Sequence, residues 1–107
     1  MKGLSGGMAA LMKQANQMQM RMKKTQEELA NREYDGTSGG GAVKVKVSGE
    51  FLLKTLQVDP EVVKAGDIEM LQDLIVSAAN DAIKQAKETQ AKEMEKVTGG
   101  LNIPGLF

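Results

Sequence analysis

The sequence lacks the residue types on which most enzyme active sites and disulfide-bonded proteins depend. Its 107 residues include no cysteine and no histidine. Without cysteine the chain has no disulfide and no thiol nucleophile, which is typical of a reducing cytoplasm. Without histidine the serines have no imidazole base, and the carboxylates are scattered rather than grouped as metal ligands. We therefore expect no catalytic activity, cofactor, metal or small-molecule substrate.

Aromatic residues are nearly absent, since Tyr34, Phe51 and Phe107 are the only ones. The core must be built from aliphatic residues, methionine and alanine, and a chain of this size buries only about 60–65% of its unfolded surface. A core this thin favours self-association. The length fits one domain, 1–107, in which we expect residues 1–7 and 101–107 to be flexible. The N-terminus has no apolar run long enough for a signal peptide or a membrane span, so we expect no membrane partner.

Acidic residues are missing from the first quarter of the chain, where Glu27 is the first to occur. The totals balance, with 14 basic and 14 acidic residues. The segment before Glu27 is nevertheless purely basic, whereas acidic residues outnumber lysines after Thr55. This segment is a candidate surface for nucleic acid, and a merely solvated helix face is the alternative.

A heptad pattern predicts a long first helix from Leu4 to Arg32. Its apolar seam alternates steps of four and three residues: Leu4, Met8, Leu11, Ala15, Met18, Met22, Thr25 and Leu29. Such a helix is about 43 Å long, against roughly 30 Å for a small domain, so part of it should project.

Alternation replaces the heptads after Glu33 and predicts three strands, at about 32–38, 42–48 and 51–59. The middle strand, "AVKVKVS", has valines on one face and Lys44 and Lys46 on the other. Its neighbour should present Leu52, Leu56 and Val58 on one face. Connections this short require antiparallel pairing, with a hairpin turn at 48–50. The glycines 39–41 indicate a turn, because a phosphate-binding loop needs Gly-Lys-Ser/Thr leading into a helix.

The last helix should start after Asp67, a good N-cap, and end at Thr98 before Gly99. The connector "PEVVKAGD" has room for one helical turn. We expect the outer halves of the two long helices to run antiparallel, with 8–22 facing roughly 82–97. The tail "LNIPGLF" is either a docking segment or flexible.

Three functions fit these features. A DNA-binding dimer is favoured by the basic first helix, and the lack of aromatic residues argues against binding of single strands. A coiled-coil interaction adaptor is favoured by the heptad seam. A membrane-surface helix is less favoured, because the apolar face is narrow.

Four stretches, in order, resemble the YbaB/EbfC family of bacterial nucleoid-associated proteins. They are "GGGAVKVKVSGE", "LQVDPEVV", "DIEMLQDLIVSAANDAIKQA" and "VTGGLNIPG", and "LMKQANQMQMRMKKTQEELA" fits the family's first helix. The resemblance implies an α+β fold with an α-β-β-β-α protomer, its three-stranded antiparallel sheet flanked by two long helices. It also implies a tweezers-like homodimer in the cytoplasm and nucleoid. Such a protein binds double-stranded DNA with little sequence selectivity, for nucleoid organisation and gene regulation.

The family has no catalytic residues to carry over, and its DNA contacts are made by basic residues of the helical arms. On this chain the arm candidates are Lys13, Arg21, Lys23, Lys24, Lys84, Lys87 and Lys92. The strand lysines, Lys44 and Lys46, are further candidates from the alternation alone.

Overall fold

The computed structural model describes residues 2–99 of the chain, with side chains from residue 6 onward. The elements follow the order α1 (Lys2–Asn31), β1 (Glu33–Ser38), β2 (Val43–Ser48), β3 (Leu53–Val58), α2 (Pro60–Lys64) and α3 (Ile68–Thr98). The predicted α-β-β-β-α order is thus confirmed, with the predicted helical turn present as α2. The flexibility expected for 1–7 and 101–107 stays a prediction, and residues 101–107 lie outside the described part.

The three strands form an antiparallel sheet in the order β1-β2-β3. Val43, Val45 and Val47 are buried on its inner face, and the alternating lysines are exposed on its outer face. The glycines Gly39–Gly41 form a 3-10 turn between β1 and β2, and all three have positive φ. This backbone favours glycine, which explains the run of three in a turn that leads into a strand.

The hairpin between β2 and β3 is wider than predicted. Gly49 and Glu50 lie at the centre of its turn, which the Phe51 amide closes by donating to the Ser48 carbonyl at 2.9 Å. Phe51 then adopts a left-handed conformation (φ 64°), so β3 begins at Leu53 rather than at Phe51. A type I turn followed by a left-handed residue is a common three-residue hairpin loop.

The predicted inner face of β3 was therefore partly wrong. The register shifts at Lys46/Val47, so that Leu53 pairs with Val47 while Leu56 pairs with Val45. Paired residues of antiparallel strands point to the same side of the sheet. Leu53, rather than Leu52, thus shares the inner face with Leu56 and Val58, because a bulge adds one residue to β3.

The helix α3 covers β1 and β2 at very close range. Ala78, Ala82 and Ala86 are fully buried against the valines of β2. A Cβ atom on Gly36 of β1 would overlap the Ala78 carbonyl oxygen and the Ala82 amide nitrogen. Small residues on both elements let the backbones approach, and this close contact fixes the position of α3 on the sheet.

Both ends of α3 have the predicted caps. The Asp67 side chain accepts a hydrogen bond from the Met70 amide at 3.0 Å. Gly99 adopts the left-handed conformation after the last turn, and its amide donates to the Glu95 carbonyl. These two local signals set the length of the helix.

The C-terminal end of α1 is anchored to the sheet and to α3. Leu29 is only 3% exposed, and its carbonyl accepts a hydrogen bond from the Tyr34 hydroxyl at 3.2 Å. The Gln90 side-chain amide donates to the Gly49 carbonyl at 2.7 Å. Gly49 passes so close to α1 that a Cβ atom there would overlap the Leu29 carbonyl. From this anchor the rest of α1 projects, which gives the molecule its extents of 78 × 21 × 18 Å.

The expected facing of 8–22 with 82–97 was wrong, because the part of α1 that lies against α3 is the segment after residue 22. Gln26 and Leu29 line a cleft with Gln90 and Met94. One turn further out, about 6 Å along each axis, Met22 lies level with Thr98, where α3 ends. The outer part of the seam is left uncovered by the described residues: Met8 and Leu11 are 62% and 63% exposed. The register of α1 against α3 is set by the contacts at the C-terminal end of α1. Heptad spacing alone does not encode those contacts.

Candidate nucleic-acid interface

The basic residues of α1 lie on the side of the helix that faces away from α3. At 3.6 residues per turn, Lys13 and Lys24 are about half a turn around the axis from the packed Met22. They lie roughly 16 Å apart along the axis, on one stripe, because eleven residues make just over three turns. Arg21 and Lys23 flank this stripe, and all four side chains are exposed. We call these four residues the basic side of α1.

No acidic side chain lies near this stripe on its own helix before Glu27. None of the four residues takes part in the ion pairs found among the described residues, which involve Lys46, Lys64 and Lys96. Glu27 and Glu28 lie one helical turn from Lys23 and Lys24, whereas Lys13 and Arg21 have no acidic residue within one turn of the helix. Exposed cations with few counter-charges create a positive potential that attracts polyanions. The surface is therefore suited to binding phosphate groups.

The candidate lysines of α3 are exposed but lie among carboxylates. Lys84, Lys87 and Lys92 alternate along the helix with Glu88, Glu93 and Glu95. The ammonium of Lys87 lies 5.9 Å from the centre of the Phe51 ring, a cation–π distance. The positive potential of this helix is thus weaker than that of α1.

The strand lysines lie on the outer face of the sheet, where acidic and neutral residues oppose them. The Lys46 ammonium is 4.0 Å from a carboxylate oxygen of Asp35, its partner in β1. Lys44 lies between Thr37 and Gln57 in the register. This face is an open groove of mixed charge, in which a carboxylate stands beside the two lysines.

A second surface, which the sequence did not predict, is the uncovered part of the inner sheet face. Leu53 and Leu56 of β3 remain 56% and 44% exposed, because α3 crosses β1 and β2 instead. We call these two leucines the open face of β3. The Asp81 carboxylate accepts a hydrogen bond from the Thr37 amide, which turns that flank of α3 toward β1. The opposite flank, with Ile75, Ala79 and Ile83, is only half-buried. Alternation alone could not predict this surface, because it depends on the bulge in β3 that turns Leu53 toward the inner face.

Residues 2–99 contain neither a membrane-spanning helix nor a cluster of metal ligands. None of the helices there is long and apolar enough to cross a bilayer. The same part of the chain contains no group of three or more acidic side chains placed to hold a metal ion.

The fold and these surfaces define an elongated α+β binding protein with a basic helical arm. Comparison with known proteins gives the family: the sequence pattern of the YbaB/EbfC DNA-binding family matches residues 5–101. The chain therefore belongs to the YbaB/EbfC family, as its resemblance predicted.

Individual relatives agree with this assignment. A nucleoid-associated protein of Clostridium novyi is 50% identical over 98% of this chain and 94% of its own length. One from Desulforamulus reducens is 53% identical over 97% of this chain and 99% of its own. Among solved structures, the uncharacterized protein HP0035 from Helicobacter pylori superposes with a TM-score of 0.68 at 27% identity. That match covers 83% of this chain and 94% of the other, so the fold is shared over most of both molecules.

Proposed function

We propose that this protein binds double-stranded DNA as a homodimer, with little sequence selectivity, and acts in nucleoid organisation and gene regulation. The observation that carries the proposal is the basic side of α1, which has no acidic residue before Glu27 and is exposed along a projecting helix in a member of a DNA-binding family. Binding to the chromosome would locate the protein to the nucleoid, as the names of its relatives suggest, and therefore to the cytoplasm.

The basic side of α1 would contact DNA chiefly through phosphates. The spacing of Lys13 and Lys24 is comparable with the roughly 12 Å width of the major groove, so both can reach one duplex. Phosphate contacts position a protein but carry no base information. Stacking on unpaired bases is not available, because no aromatic side chain lies on this part of α1. Binding should therefore prefer duplexes and vary little with sequence.

The homodimer would form through the open face of β3. An exposed pair of leucines beside a half-buried apolar helix flank is the kind of surface that a second copy covers. Dimerisation places two basic arms on one particle, which raises the effective affinity for a long polyanion.

The test is a mobility shift of duplex DNA against ionic strength, with the oligomeric mass measured in parallel. The logarithm of the affinity should fall linearly with the logarithm of salt, with a slope of about −0.9 for each neutralised phosphate. No retarded DNA at low salt would overturn DNA binding.

A matched pair of variants separates dimerisation from folding. Leu56→Asp places a charge on the open face of β3 and should give a folded monomer, because α3 does not cover this residue. Gln57→Asp, on the outer face one position away, should remain dimeric. A Leu56→Asp protein that is still a dimer would place the interface elsewhere.

A coiled-coil interaction adaptor is a second candidate, favoured by the uncovered outer seam at Met8 and Leu11. It predicts a salt-insensitive protein complex in place of a salt-sensitive DNA complex. The same ionic-strength series therefore separates the two functions.

A further inference from the structure

The basic side of α1 has uncharged side chains at its centre. Asn16, Gln17 and Met20 lie between Lys13 and Lys24 along the helix, and all three are exposed. At 3.6 residues per turn, the other four residues lie within about 60° of Met20 around the axis. Met20 is 72% exposed, so a large apolar side chain stands in the middle of a charged and polar face. We call Asn16, Gln17 and Met20 the central set.

Two cations lie on opposite sides of Met20. Around the helix axis, Arg21 is about 100° away in one direction and Lys23 about 60° away in the other. A helix with its side chains is about 10–12 Å across, which matches the roughly 12 Å width of the major groove of B-DNA. With Met20 directed at the floor of that groove, Arg21 and Lys23 would reach the phosphates of its two walls.

The described part of the chain leaves this face of α1 accessible. The central set points away from the side on which Met22 is half-buried, and it lies beyond the level at which α3 ends. Toward the N-terminus the face continues with Gly6 and Ala9, whose small side chains let the helix backbone approach a groove closely. At the inner end Glu27 would repel phosphates, so the inserted segment should end near Lys24.

The chemistry of the central set matches the major-groove edges of A·T pairs. Asparagine and glutamine form paired hydrogen bonds with N6 and N7 of adenine, and apolar side chains contact the thymine methyl group. Guanine is read chiefly by arginine or lysine, but Arg21 and Lys23 flank this face instead of lying at its centre. The minor groove, about 6 Å wide, is too narrow for a helix.

We infer that α1 enters the major groove around Met20, and that Asn16, Gln17 and Met20 contact the base edges of A·T pairs. The inference rests on the proposed binding of double-stranded DNA and adds a modest base preference to it. Phosphate contacts alone carry no such preference. Overall selectivity stays low, because almost every long duplex contains a few neighbouring A·T pairs.

Duplexes that change one groove at a time test the inference. The full chain is titrated by fluorescence anisotropy with three duplexes of equal length, built from alternating A·T, G·C or inosine·cytosine pairs. Inosine lacks the 2-amino group of guanine, so its pair resembles G·C in the major groove and A·T in the minor groove. We expect the A·T duplex to bind roughly five- to tenfold more tightly than the other two, which should bind alike.

Each other outcome of this titration has a definite meaning. Equal affinity for all three duplexes, with a normal salt dependence, would overturn base reading by α1 and leave the proposed DNA binding intact. Inosine·cytosine bound as tightly as A·T would place the readout in the minor groove and overturn the inference. If none of the duplexes is bound at low salt, DNA binding fails and the inference fails with it.

A matched pair of double variants locates the base contacts. Asn16→Ala with Gln17→Ala should abolish the preference for A·T and leave the salt slope unchanged, because no phosphate contact is lost. Gln14→Ala with Gln19→Ala removes two exposed amides that lie at least about 100° around the axis from Met20, and it should keep the preference. Alanine favours helix in both pairs. A preference that survives in the first pair, or disappears in the second, would overturn the assignment.

The thymine methyl group tests Met20 separately. Uracil in place of thymine in the A·T duplex should weaken binding of the native protein roughly fourfold, the value of one buried carbon. It should not weaken binding of Met20→Ala any further. Met12→Ala, at a methionine that is 61% exposed and about 80° around the axis from Met20, should stay as sensitive as the native protein. A Met20→Ala protein with native sensitivity would show that Met20 does not contact the base.

Discussion

The body and the arm of this molecule are held together in opposite ways. The body, formed by the sheet and the first half of α3, relies on small residues and close backbone approach at Gly36, Ala78 and Ala82. The arm, formed by α1 and the second half of α3, relies on a methionine seam that is half-buried near the body and exposed beyond it. Side chains at this contact in the body therefore cannot become larger without a clash. The exposed positions of the arm can vary in sequence as long as they present charge.

The largest expected effect comes from a charge inside the body. Val45 is 1% exposed at the centre of β2, so Val45→Asp buries a carboxylate without a partner. The cost of several kcal/mol is comparable with the whole stability of a small domain, about 5–15 kcal/mol. Circular dichroism should show loss of the cooperative thermal transition.

The control for this change is the neighbouring residue on the other face. Lys44→Asp should unfold within a few degrees of the native protein, because Lys44 is exposed. Cooperative unfolding of Val45→Asp at the native temperature would mean that the valine face is not the core.

A smaller effect is expected from adding one methyl group to each region. Gly36→Ala forces a Cβ atom into the backbone of α3 and should lower the free energy of unfolding by about 1–3 kcal/mol or more. Gly7→Ala adds the same atom to the arm, where nothing lies within 4 Å. It should leave the denaturant midpoint unchanged or raise helix content, since alanine exceeds glycine in helix propensity by about 1 kcal/mol. Equal destabilisation by both changes would contradict the contrast between body and arm.

The smallest effect on stability is expected at the joint of the two regions. Tyr34→Phe removes the hydroxyl that donates to the Leu29 carbonyl. Its cost should be about 1 kcal/mol in chemical denaturation, the usual net value of one hydrogen bond. The chemical shifts of residues near Leu29 should change, while those near Val43 should not. Changes spread evenly over the sheet would mean that this bond supports the body rather than the attachment of the arm.

Local patterns predicted most of the fold. The valine–lysine alternation of β2, the caps at Asp67 and Gly99 and the glycine turn before β2 each depend on residues close in sequence. The start of β3 at Leu53 did not follow from such a pattern, because it depends on a left-handed Phe51 and a bulge. The uncovered seam at Met8 and Leu11 depends on where Gln90 and Gly49 hold the far end of α1, which is a contact between distant segments.

The residues of the candidate site also divide into those that a local pattern predicts and those that depend on contacts between distant segments. The basic side of α1 was predictable, because a helix period and a charge count suffice to locate Arg21, Lys23 and Lys24. The pairing of Lys46 with Asp35 required the strand register, which alternation alone does not give. These charges and contacts support the proposal that α1, rather than the sheet, would contact phosphates.

The most direct test of this account compares the salt dependence of DNA binding in two multiple variants. Replacing Arg21, Lys23 and Lys24 with alanine should flatten the log–log slope by up to about 3, if each residue neutralises one phosphate. Replacing Lys44 and Lys46 with alanine should change it by less than about 1, because these residues lie on a face of mixed charge. An unchanged slope in the α1 variant, or a larger change in the sheet variant, would contradict the assignment of DNA binding to the arm.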